Sequence, residues 1–157
     1  MSDTSPRGQT IRSALVETTH PYRLLPQLAS LVDAGYSVTV CTGPRPEQFC
    51  PVRDGLRCPL VDDAGIVVNA VDDPAMRAEL VRGIRAFAPD VPIAIVGRHR
   101  THVDGTVWHE SMHELARQLG PACGSDLRPP SLTMGSVERG ASSQSHPGEL
   151  NRSLCAR

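Results

Sequence analysis

The chain is expected to fold as an α/β domain around an open, doubly wound parallel sheet. Three observations point there. Apolar runs rich in Val and Ile alternate with stretches whose apolar residues recur at helical spacing, the pattern of βαβ units with right-handed crossovers. The run VPIAIV at 91–96 is apolar almost without interruption, as a central parallel strand covered on both faces must be. Proline and glycine stand where helices should begin and end, at Pro21, Gly35, Pro74 and Pro89.

In chain order, residues 1–10 are polar and expected to lack structure. Residues 11–16 form a first strand. Pro21 opens a helix whose inward face is Leu24, Leu25, Leu28, Leu31 and Val32, and Gly35 closes it. A second strand covers 36–41 with the β-branched run SVTV. A loop rich in Pro, Arg and Cys follows from 42 to 60, in place of a second helix. The run IVV at 66–68 is a short buried strand. Asp73 and Pro74 read as N-cap and first residue of a helix that turns Met76, Leu80, Val81, Ile84 and Phe87 inward. The strand at 91–96 leads through a loop at 97–105 to a short strand at 106–108. A last helix runs to Leu119, with Trp108, Met112, Leu115 and Leu119 as its apolar stripe. Beyond Gly120 the residues Ser, Pro, Gly and Arg dominate without periodicity. The domain would therefore span 11–120, and 121–157 would be a disordered tail that buries too little surface to order itself.

The 157 residues suffice for one domain with a self-supporting core. Sixteen basic residues, all Arg, stand against 17 acidic ones for a net charge of −1, so no global field favours nucleic acid or an anionic membrane. No arginine run interleaves with aromatic residues as a nucleic-acid footprint would require. No apolar run approaches the ~20 residues of a membrane span, and the first ten residues lack the apolar core of a signal peptide. A cytoplasmic protein is the expectation. In a reducing compartment, Cys41, Cys50, Cys58, Cys123 and Cys155 read as free thiols, metal ligands or redox sensors rather than as a disulfide framework.

The stretch SALVETTHPYRLLPQLASLVDAGYSVTVC at 13–41 resembles the first strand, first helix and second strand of response-regulator receivers, and the likeness runs on through VPIAIV to about residue 120. It is also similar to a bacterial subgroup in which the second helix gives way to a loop with cysteines and a Cys-Pro-Leu step, here Cys41, Cys50 and residues 58–60. The resemblance implies a flavodoxin-like, receiver-like fold. It also implies a degenerate site. Receivers take phosphate on an Asp at the end of the third strand and hold Mg²⁺ with two acids after the first. A Ser or Thr after the fourth strand and a Lys after the fifth complete the set. Carried onto this chain, the first acid is Glu17 but its partner is Thr18. The phosphoacceptor position falls on Asn69 or Ala70, the hydroxyl position falls near Gly97, and the chain contains no Lys. One carboxylate alone makes a poor Mg²⁺ site. Asp62, Asp63, Asp72 and Asp73 read as loop and capping residues. The space between Val96 and Leu119 holds one helix and a short strand, so the fourth receiver helix is expected to be missing or reduced. What the resemblance implies is a pseudo-receiver: a non-enzymatic signalling or regulatory domain that acts on protein partners without Asp phosphorylation.

Two side-chain clusters offer other chemistry. Cys41, Cys50 and Cys58 flank or lie in the loop after the second strand, at the sheet edge where open α/β folds bind ligands. They read as buried and loop thiols, as a redox pair, or as zinc ligands at about 2.3 Å that need a fourth donor such as Cys123, His20 or a partner's residue. Residues 109–113 spell HESMH, the pattern in which two histidines one helical turn apart bind zinc and the intervening Glu activates water. The alternative function is therefore a zinc-dependent hydrolase using His109, His113 and Glu110, with His99 and His102 close enough in sequence to contribute. The competing reading is a solvated helix face. With strands ordered 2-1-3-4-5, the cysteines and the histidines would lie four strand spacings apart, roughly 19 Å, and would not share one site.

Overall fold

The computed structural model describes residues 12–43, 45, 47–100, 102–120 and 132–135. Its elements in chain order are β1 (Ser13–Glu17), α1 (Pro21–Asp33), β2 (Ser37–Cys41), α2 (Pro59–Asp62) and β3 (Ile66–Asn69). They continue with α3 (Pro74–Phe87), β4 (Ile93–Val96), β5 (Val107–His109), α4 (Met112–Leu119) and β6 (Leu132–Gly135). The strands form one sheet in the order β5-β4-β3-β1-β2-β6, and every pairing is parallel. The fold is α/β and compatible with the flavodoxin type.

Period-two alternation sorts the core into two layers. Ala14, Val16, Val38, Val40, Ile66, Val68, Ala94 and Val96 meet the apolar faces of α1 and α4. Leu15, Cys41, Val67 and Ile93 meet α3, α2 and the loop after β2 on the other side. All residues of β3 and β4 are buried, which is why these strands tolerate no polar alternation except Asn69 at the very end.

Local chemistry sets the helix boundaries. At the end of α1, Gly35 takes φ +89°, its N–H donates to Val32 O and the N–H of Tyr36 donates to Leu31 O, which closes the helix as a Schellman motif. Asp73 Oδ1 accepts from Ala75 N at 2.8 Å and Met76 N at 3.3 Å and starts α3. Gly83, inside α3, lies against the loop after β2: a Cβ there would sit 2.6 Å from Val52 Cγ1 and 2.9 Å from Val52 O.

Three expectations change. The span 42–60 is not loop throughout, because Pro59 preorganises a single helical turn that becomes α2, with Cys58 as its N-cap. Trp108 lies on β5 rather than on the last helix, which starts only after Ser111. Within the span expected to be a structureless tail, Leu132–Gly135 forms β6 on the edge of β2; the rest of 121–157, and residues 1–10, lie outside the described residues. The physical reason for β6 is an open backbone edge on β2 to pair with, since its own Leu132 and Met134 stay exposed. Among the described residues between β4 and β5 there is no helix, and no described helix is long and apolar enough to cross a membrane.

Candidate functional site

The chain steps from β1 outward to β2 and then returns to the other side of β1 as β3. The carboxyl ends of β1 and β3 therefore diverge into connections running to opposite sides, which leaves a crevice between them. Glu17, at the end of β1, stands in register with Cys41 of β2 and Asn69 of β3. All three are buried. Asn69 Nδ2 donates to Glu17 Oε2 at 2.9 Å, and Asn69 Oδ1 accepts from Val71 N at 3.2 Å, so both ends of the amide are engaged. Burial pushes the Glu17 carboxyl up from 4.5 to about 7, with the Asn69 hydrogen bond opposing it. A Mg²⁺ ion of the receiver kind does not fit here: Thr18 replaces the second acid, and the one carboxylate present is buried against Asn69.

The structure does gather Cys41, Cys50 and Cys58, all as free thiols in one apolar cluster with Val52 and Val61. Burial is the main cause raising all three thiol pKa values; Cys41 reaches about 12, although the N–H of Gly43 contacts its Sγ at 3.4 Å. The carboxylate of Glu17 adds to the rise at each thiol. Thiols in such surroundings are weak nucleophiles and weak ligands. Cys123 lies outside the described residues, and His20 is exposed beside Thr19 and Asp72.

The HESMH segment is divided between two elements. His109 ends β5 and is buried, Glu110 is exposed, Ser111 is the N-cap of α4 and His113 is exposed on that helix. The two histidines are thus not one helical turn apart, and the helical premise of the zinc-hydrolase reading fails. The physical reason is N-terminal capping of α4 that coincides with the motif. Ser111 Oγ accepts from Glu114 N at 3.2 Å, and Glu114 Oε2 reaches back to Glu110 N at 2.7 Å. Desolvation lowers the pKa of His109, whose buried Nδ1 has no hydrogen-bond partner among the described residues. His99 and His102 are exposed on the connection after β4, where His102 Nε2 lies 3.3 Å from Asp104. Among the described residues, no three His, Cys, Asp or Glu side chains are arranged to hold a metal ion.

Sequence reasoning pointed to the carboxyl edge of the sheet as a place for ligands but missed the residues of the cleft there, about 1080 Å³ at the carboxyl ends of β1, β3 and β4. The first turns of α1, α3 and α4 border it through His20, Pro74 and Ser111. Three arginines line it from separate segments: Arg23 of α1, Arg77 of α3 and Arg98 after β4. Arg77 is buried, and its Nε and Nη2 donate to Val71 O at 3.1 and 2.6 Å. Gly97 makes room for it, since a Cβ at that position would lie 3.3 Å from Arg77 Nη2.

No protein-family model matches the chain, and searches of curated proteins and of solved structures gave no match. The site is therefore argued from its own chemistry. Its signal in the sequence was weak because the three arginines are far apart along the chain and meet only through the strand order.

Proposed function

We propose that the chain is a receiver-like regulatory domain that takes no phosphate on an aspartate and acts through contact with a protein partner. The observation that carries this reading is Asn69. It closes β3 next to Glu17 at the end of β1, and the receiver resemblance puts the phosphoacceptor on it or on Ala70, which follows it. An amide cannot form an acyl phosphate, and both ends of this one are held by hydrogen bonds within the protein. Thr18 and Gly97 supply neither the second acid nor the hydroxyl of a phosphotransfer centre. In this reading the three buried thiols are part of the packing beneath the loop rather than a signal input, because burial disfavours their thiolates.

The test is covalent. Full-length protein incubated with acetyl phosphate and Mg²⁺, then denatured and weighed by mass spectrometry, is expected to gain no phosphoryl group. A stoichiometric, hydroxylamine-labile adduct would overturn the reading.

A further inference from the structure

We infer that the cleft at the carboxyl edge of β1, β3 and β4 binds, without reacting with it, a small phosphate monoester with a polar body, held by Arg23, Arg77 and Arg98. Size is the first argument. A concavity of about 1080 Å³ is ample for a metabolite-sized ligand. Charge is the second. The whole chain has a net charge of −1, yet three guanidinium groups from three different segments line this one cleft, against the carboxylates of Asp72 and Glu110. Guanidinium remains charged in any protein environment; the exposed Arg23 and Arg98 can present a planar fork to phosphate oxygens, while Arg77, whose Nε and Nη2 donate to Val71 O, adds positive charge at the wall.

Arg77 supplies the third argument. It is only 3 % exposed and its guanidinium is anchored on Val71 O, so its side chain is already ordered before any ligand arrives. Gly97 leaves the space that such a placement needs. The start of α1 adds to the field: it carries no acidic residue in its first turn and no side-chain cap, and both His20 and Arg23 face the cleft.

A phosphate monoester suits this set better than a carboxylate does. It carries close to two negative charges and three terminal oxygens, enough to engage guanidinium groups from more than one wall. The rest of the lining favours a hydroxyl-bearing body over a nucleobase. Thr18, Gln27 and Ser111 offer polar side chains, and among the described residues no Phe, Tyr or Trp lines the cleft, which leaves the imidazoles of His20 and His99 as its aromatic rings. The inference stands independently of the phosphorylation reading, because it concerns reversible binding rather than a covalent adduct.

Titration of full-length ¹⁵N-labelled protein with ribose 5-phosphate tests it, with ribose and succinate as controls. Shifts are expected at the amides of Arg23, Gly97, Arg98 and Ser111 with ribose 5-phosphate, and neither control should produce them. Arg23→Gln and Arg98→Gln, both at exposed positions, are each expected to weaken binding about tenfold, the scale of one lost charge-assisted hydrogen bond. Arg82→Gln, exposed further along α3, is expected to leave it unchanged. Absence of shifts at the cleft, equal binding of succinate, or unchanged affinity in both cleft variants would overturn the inference.

Discussion

Glu17 is a carboxylic acid sealed between two strands. Its pKa of about 7 in the folded chain compares with 4.5 for the unperturbed group, and burial is the main cause. Between those two values the folded protein keeps a proton that the unfolded chain has released. Stability therefore falls as pH rises through that window and levels off above it, by roughly 3 kcal/mol in all. Glu17→Gln keeps an acceptor for Asn69 and removes the titration. Urea unfolding from about pH 5 to about pH 8 should show wild-type stability declining by about 2–3 kcal/mol relative to the variant. Parallel profiles would mean that the folded carboxyl is ionised throughout. That Glu17 ends an apolar run was legible from SALVE, but its pairing with Asn69 was not. The register of β1 on β3 is a long-range property, and nothing in either segment alone encodes it.

At the level of elements, Gly83 and Pro26 are the two residues whose local preference runs against their helix. Gly83→Ala would gain about 1 kcal/mol of helix propensity. The new Cβ would meet Val52 Cγ1 at 2.6 Å and the backbone oxygen of Val52 at 2.9 Å, and a carbonyl cannot turn aside as a side chain can. Overpacking of this kind costs about 1–3 kcal/mol or more, so a net loss of about 1 kcal/mol is expected in denaturant midpoints. Pro26 sits in the interior of α1 on its exposed side. It was invisible as an obstacle because the inward face of Leu24, Leu28 and Leu31 outweighs it, and an exposed turn lets water serve the carbonyl it leaves unpaired. Pro26→Ala should raise stability by about 1–2 kcal/mol, less than the full propensity difference because the unfolded chain also gains freedom. The HESMH segment shows the opposite failure. Ser111 and Glu114 spelled a helix start as plainly as the histidines spelled a metal motif, and the capping geometry is the one the backbone adopted.

For the whole molecule, the alternation of strand and helix patterns made the parallel sheet legible and the order taken for its first five strands, 2-1-3-4-5, is the one observed, whereas β6 escaped notice. Four residues flanked by Pro, Ser and Gly carry too little periodicity to announce a strand. Its attachment is backbone pairing to β2 together with the 3.1 Å contact of the Thr39 and Thr133 hydroxyls, while both core layers form without it. Ending the chain after residue 120 is therefore expected to leave a cooperative unfolding transition but to expose the edge of β2 to other copies. Sedimentation velocity should show self-association that rises with concentration in the shortened chain and not in the full one. A broad, non-cooperative transition would instead make β6 part of the folding unit.

The position of β6 has a consequence for how tightly that edge is guarded. The chain runs unbroken from α4 to β6, so the strand meets β2 at a local concentration fixed by chain connectivity, whatever the amount of protein in solution. A separate peptide with the same four residues has to approach that concentration to compete for the edge. Lengthening the tether changes this only slowly, since closure cost grows with the logarithm of length. Cutting it does far more. One nick between α4 and β6 turns a first-order contact into a second-order one, and at ordinary dilution the strand would leave.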